Sequence, residues 1–300
     1  MLRHEANDQA AGLRRLLGNR NSLRPLGIFG PDADLNAIAA ANLGLALSQH
    51  SDRVGLIDEA HAPYNATNLC ALSPNHDLSD VLHGVLSLDE ALTGAPDGPW
   101  LLKAECGFRH AAATDEQTWN RIGGDFAHHA WDWLLLAAPA DEHPSLALAA
   151  PLRLLILPTV KARLTEAYVI LKAAQRKQPD GRWLALFMNA NDDAKVSQLM
   201  AALNATARQF LGIELEPLTA IPKDDRLDPA ARALRPLLER SPASPSTEAI
   251  RRLTARLRDE TDWATGIDAE LFWQRMGLFS RLNQPTQYSK QHAQHSRAYG

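Results

Sequence analysis

Residues 26–58 read LGIFGPDADLNAIAAANLGLALSQHSDRVGLID, and this stretch decides the fold. Leu26–Gly30 is a short apolar run that stops at a glycine, and the polar loop Pro31–Asp34 follows it. Leu35, Ile38, Ala41 and Leu45 then recur at the spacing of one helix face. That spacing predicts a helix from Leu35 to about Gln49, with Asp34 as its N-cap. Val54, Leu56 and Ile57 make Arg53–Asp58 a buried strand ending in an acid. Strand, loop, helix and strand in this order form a βαβ unit.

Working outward, Trp133–Ala137, Leu152–Leu157 and Trp183–Asn189 are further apolar runs of strand length, and Ile213–Ile221 holds a short one. Helical patterns cover Leu78–Leu92, with a Ser87–Leu88–Asp89–Glu90 helix start inside it, Thr165–Lys177, Val196–Leu211, Pro229–Glu239 and Thr247–Arg258. Strands that are apolar throughout and alternate with helices predict an α/β fold. Its sheet is doubly wound and mostly parallel, with helices on both faces. In such sheets ligands bind at the carboxyl ends of the strands. Three segments follow: a helix within 1–22, an α/β domain over 23–262, and an amphipathic helix with a polar tail over 263–300.

Composition narrows the function. The chain has 300 residues, 45% hydrophobic and 22% charged, with a net charge of −4. That balance gives no basic footprint for nucleic acid. Cys70 and Cys106 are the two cysteines and match no metal-ligand spacing, which predicts a reducing cytoplasm. No signal peptide and no membrane-spanning run is expected. His128, His129, His292 and His295 lack the acidic or cysteine neighbours of a metal site, so no metal is expected. No catalytic triad or zinc-protease motif is present.

Several fragments, in order, carry a resemblance. They are Asp8–Gln9–Ala10–Ala11–Gly12–Leu13–Arg14, Asn42–Leu43–Gly44–Leu45–Ala46–Leu47, Arg53–Val54–Gly55–Leu56–Ile57–Asp58, Leu78–Gly84 with Ser87–Leu88–Asp89, Thr165–Tyr168, and Ile221–Asp224. Together they resemble the ParA/MinD family of deviant P-loop ATPases, and most closely its FlhG (FleN, YlxH) branch of flagellar-number regulators. The resemblance implies a deviant P-loop NTPase-like fold. It also implies contact between the N-terminal DQAxxLR helix and a signal-recognition-type GTPase (FlhF-like). Asp8, Gln9, Leu13 and Arg14 are the partner-binding candidates. Gln9 is suited to orient a water, and Arg14 to bear on developing phosphate charge.

The phosphate loop departs from the family's GKGGVGKT. The window holds Gly30, Pro31, Asp32, Ala33, Asp34, Leu35, Asn36 and Ala37. Pro31 stands at the signature lysine, Asn36 at the phosphate-gripping lysine and Ala37 at the magnesium-binding hydroxyl. Asp58 is retained, but the family's other two acids fall on Ala60 and Ala137. A charge-assisted phosphate contact is worth about 1.5–3 kcal/mol. Losing two lysines therefore weakens nucleotide binding by roughly two to four powers of ten. Asp32 and Asp34 add repulsion of roughly 4 kcal/mol for like charges about 4 Å apart. The expectation is a regulator that is not an ATPase and takes no cofactor.

Alternatives stand beside each reading. Asp58 is either a functional acid or a strand-end residue capping nearby backbone. Asn189 falls at an adenine-contacting position and otherwise serves as a turn residue. The N-terminal helix either meets a partner or packs on its own domain. Leu271, Phe272, Trp273, Met276 and Phe279 form an apolar helix face in Glu270–Leu282, for weak contact with the inner membrane or cell pole or for docking on the body or on a dimer partner. At the level of the whole protein, the alternatives are a pseudo-ATPase scaffold and a residual ATP-binding ATPase. The scaffold would bind another ParA-like protein, a flagellar transcription regulator or a basal-body protein.

Overall fold

The computed structural model of the chain describes residues 22–283, apart from 51, 95–96, 106, 142, 225–234 and 261–265. β1 (Ser22–Phe29) leads into α1 (Ala33–Ser48), β2 (Val54–Asp58) and three short helices, α2 (Ala66–Leu69), α3 (Leu78–Leu82) and α4 (Leu88–Ala91). β3 (Thr93–Gly94), β4 (Trp100–Lys103), α5 (Gly107–Ala113), α6 (Glu116–Ala127) and β5 (Trp133–Ala137) follow. A 3-10 turn (Leu146–Ala149) precedes β6 (Leu152–Pro158), α7 (Arg163–Lys177), β7 (Arg182–Met188), α8 (Asp193–Leu211) and β8 (Leu215–Pro217). Last come α9 (Leu237–Arg240), α10 (Pro245–Asp259), β9 (Ile267–Asp268) and α11 (Ala269–Leu282).

Among the described residues the strands form one sheet in the order β3-β4-β2-β5-β1-β6-β7-β8, with β9 attached to β1. β3 and β9 run antiparallel to their partners, and the other pairings are parallel. β2, β5 and β6 are buried along their whole length, as expected of strands covered on both faces. Leu26 and Ile28 of β1 enter the core beneath α1 and α10. Phe29 enters the opposite core, its ring 5.3 Å from that of Trp183.

Pro25 lies inside this central strand, where its missing N–H should interrupt a ladder. The pairing explains why it does not. Arg24 donates its N–H to Asp132 on the β5 side, so alternation turns the Pro25 nitrogen the other way. On that side β9 pairs only with Ser22 and Leu23, and β6 begins its register at Leu26. The proline occupies the gap between the two partners.

Three details differ from the sequence pattern. The first helix starts at Ala33, and its N-cap is Asp32, whose carboxylate accepts the Leu35 N–H at 3.1 Å. Asp34 is instead an exposed acid of the first turn. Asp-Ala-Asp offers two caps, and the backbone turns helical after the first. Second, Leu78–Leu92 is two helices. Gly84 adopts φ +71° between them, and each helix opens with its own capping box, Asp77 with Asp80 and Ser87 with Glu90. Third, residues 266–283 pack on the body. β9 pairs with β1, and α11 packs on α5, α6 and the 3-10 turn.

Of the two readings of this apolar face, α11 follows docking on the body. Phe272, Trp273 and Met276 are fully buried and Phe279 is 4% exposed, whereas Leu271 is 57% exposed. The apolar face is consumed by packing, at roughly 1.5–3 kcal/mol for each large side chain. Two glycines let the helices approach. A Cβ on Gly277 would come within 2.5 Å of the Trp119 ring, and one on Gly123 within 3.2 Å of Trp273. Each tryptophan thus sits over the other helix's glycine, and the two rings lie 5.6 Å apart.

Candidate functional site at the carboxyl ends of the strands

The turn after β1 is closed by its own side chains. The Asp32 carboxylate accepts the Leu35 N–H in the first turn of α1, and its backbone carbonyl accepts the Asn36 N–H at 3.0 Å. Asn36 is buried and folds back over the turn, donating through Nδ2 to the Gly30 carbonyl at 2.8 Å. Its Oδ1 is buried without a hydrogen-bond partner. Gly30 is glycine for packing reasons. A Cβ there would stand 2.2 Å from Asn36 Oδ1 and 2.5 Å from the Ile156 carbonyl oxygen. Pro31 and Ala37 are buried, and Asp34 faces outward. Further along α1, Asn42 donates to the Ile38 carbonyl at 2.8 Å and accepts the Leu238 N–H at 3.1 Å, holding α9 against α1.

The turn after β2 carries two buried acids side by side. Asp58 Oδ2 accepts from the Thr67 N–H at 2.8 Å and the Thr67 hydroxyl at 2.7 Å, and Oδ1 from the Ala60 N–H at 3.3 Å. Burial pushes its carboxyl above the ordinary range, and these donors pull it back. Its geometry is that of an acid capping nearby backbone.

Glu59, which the sequence pattern gave no reason to single out, is 3% exposed. It accepts the Ser145 hydroxyl at 2.7 Å and the N–H groups of Leu146 at 3.0 Å and Ala147 at 3.2 Å. Burial pushes its carboxyl up to about 7, against the pull of those three donors.

The 3-10 turn that Glu59 holds is gripped at its other end by Arg153. This fully buried guanidinium donates to the carbonyls of Leu148 at 2.8 Å, Ala150 at 3.1 Å and Gln178 at 2.8 Å. It lies 5.5 Å over the Trp183 ring, and burial pushes it down to about 10. A carboxyl group at the N–H end and a cation at the C=O end match the polarity of the turn. Nothing nearby in sequence marks the pairing, since Glu59 lies 86 positions from Ser145.

The remaining candidates are dispersed. Ala60 and Ala137 are buried. Asn189 adopts φ +57°, the left-handed geometry of a turn residue. Its carbonyl accepts the Thr159 hydroxyl at 3.1 Å. Asp8, Gln9, Leu13 and Arg14 lie outside the described residues, as do His292 and His295. No described helix is long and apolar enough to cross a membrane.

The strand order, the helices on both faces and the loop–helix turn after β1 have solved counterparts. A chain of the MinC:MinD cell division complex of Aquifex aeolicus superposes with a TM-score of 0.62 at 20% identity, covering 79% of this chain and 96% of that one. A ParA family ATPase from Chlorobium tepidum gives 0.61 at 18% identity, covering 79% and 99%. The fold is that of the MinD/ParA ATPases. In sequence, the chain is 25% identical over 224 residues to the antiactivator FleN of Pseudomonas aeruginosa, covering 73% of this chain and 80% of FleN. That similarity lies with the FlhG/FleN branch of the fold. No protein-family model matches the chain.

Proposed function

We propose that this MinD/ParA-fold protein is an FlhG-like regulator of flagellar number and placement that works by binding partners, without ATP. The observation that carries the reading is the closed turn Gly30–Ala37. A phosphate loop keeps its amides open and brings lysines to them. Here the Leu35 N–H in the first turn of α1 is taken by the Asp32 carboxylate, and the Asn36 amide is spent on the Gly30 carbonyl. A triphosphate would meet Asp32 and Asp34 as like charges. Asp58, the retained acid, is engaged by Thr67 and Ala60. Isothermal titration with ATP and magnesium tests this directly. No heat of binding up to millimolar nucleotide is expected, and micromolar binding overturns the reading in favour of a working ATPase.

The partner is an FlhF-like signal-recognition-type GTPase, met through Asp8, Gln9, Leu13 and Arg14. This rests on the DQAxxLR resemblance. The expected result is stimulation of that GTPase by the full chain, lost on Gln9→Ala and Arg14→Ala. Equal rates with and without the chain would remove the mechanism. A second reading has its own support, since the similar FleN is named an antiactivator. In it, the body binds a flagellar transcription regulator. Capture of that regulator by a chain lacking residues 1–21 favours this second reading, and loss of capture favours the first.

A further inference from the structure

His83 and His110 are 27 positions apart, and the fold brings their rings together. His83 caps the C-terminus of α3, its N–H bonded to the Ser79 carbonyl at 3.0 Å. His110 lies in α5, whose Phe108 and Ala111 share a core with Leu78 and Val81 of α3. Both backbones are therefore fixed by packing, while His83 is exposed and His110 half-buried. His83 Nε2 and His110 Nδ1 are 3.3 Å apart, with the ring planes at 89°.

That separation allows a long hydrogen bond between the two nitrogens when one of them carries the proton. It matches the edge of a tetrahedron whose centre is a zinc ion. Two imidazole nitrogens at about 2.0–2.1 Å from Zn²⁺ stand roughly 3.3–3.4 Å apart at the tetrahedral angle. The right angle of a square-planar copper or nickel site would bring them to roughly 2.8 Å. Magnesium and calcium, which take oxygen ligands, are poor matches to two imidazoles.

We propose that His83 and His110 are the protein half of a surface zinc site that cross-links α3 to α5. Among the described residues no group of three or more histidines, cysteines or acids could hold a metal ion. Water completes the coordination, and the ion stays exchangeable. The inference is independent of the proposed function, because neither histidine belongs to the turns at the carboxyl ends of the strands.

The test is isothermal titration of the full chain with ZnCl₂, with MgCl₂ as control, for the wild type, His83→Asn and His110→Asn. Zinc binding with magnesium silent is expected in the wild type. Each substitution should weaken this event at least tenfold, the least that loss of even an outer-shell partner costs. The ring resonances of His83 and His110 should both shift on adding zinc. Unchanged zinc binding in both variants would assign the heat to other histidines and overturn the proposal. Failure of the wild type to bind zinc would overturn it too, leaving the pair a proton-sharing contact.

Discussion

The turns after β1 and β2 sit at the same end of the sheet and solve the same problem differently. Each must satisfy the backbone at a helix start. The first does so with an aspartate cap and a folded-back asparagine, and leaves Asn36 Oδ1 buried and unpartnered. The second does so with two buried carboxylates, each accepting three hydrogen bonds from the protein. An acid that serves a metal must keep lone pairs directed at the ion. Asp58 and Glu59 spend theirs on amides and hydroxyls. The difference separates a turn closed by its own cap and asparagine from one in which buried acids hold the backbone.

The largest expected effect comes from Asp58→Ala, which strands the Thr67 hydroxyl and the N–H groups of Thr67 and Ala60. Urea unfolding of the nucleotide-free protein should show a loss of about 3 kcal/mol. A loss near zero without nucleotide would mean that Asp58 is held for a ligand, and the contrast between the two turns would fail.

Glu59 gives an effect of similar size that depends on pH. Its carboxyl stands at about 7 in the folded chain against an ordinary 4.5. Between those values the folded state holds the proton and the unfolded chain does not. Stability is therefore favoured below about 4.5 and falls as pH rises towards about 7, by roughly 3 kcal/mol in all. Glu59→Gln should remove that slope when wild type and variant are unfolded at pH 5 and pH 8. Parallel slopes would show that the Ser145, Leu146 and Ala147 donors hold Glu59 ionised throughout.

The smallest effect sharpens the contrast from the other side. Asn36→Ala forfeits one hydrogen bond to Gly30 but also removes a buried acceptor that has none, so the two terms oppose. The change in thermal or urea stability should stay within about 1 kcal/mol. A larger loss would mean that Asn36 does more than fill space beside Gly30.

Much of this was visible in the residues themselves. Leu134, Leu154 and Leu184 lie in runs that are apolar on both sides, and such runs become the interior of a parallel sheet. The altered window Gly30–Ala37 was also legible, because a phosphate loop is contiguous. Glu59 was not, since its partners sit at 145–147 and burial is what gives it meaning. α6 was legible but passed over. Trp119, Ile122 and Phe126 follow helical spacing behind the cap Asp115, with Gly123 and Gly124 inside the helix. The purpose of Gly123 appears only with α11 in place, since Trp273 needs the room there. The same packing explains why a helix that reads as amphipathic turns its aromatic side inward.

The register of β9 on Ser22 and Leu23 has a mechanical corollary. It fixes the point where the first twenty-one residues join the body, at the amino end of β1, one strand length from Gly30. Eight residues of β-strand span roughly 26 Å. A pull on Ser22 therefore acts on a stiff rod at its near end, while the Gly30–Ala37 turn sits at the far end. Such a linkage transmits force along the sheet axis and leaves little play for bending.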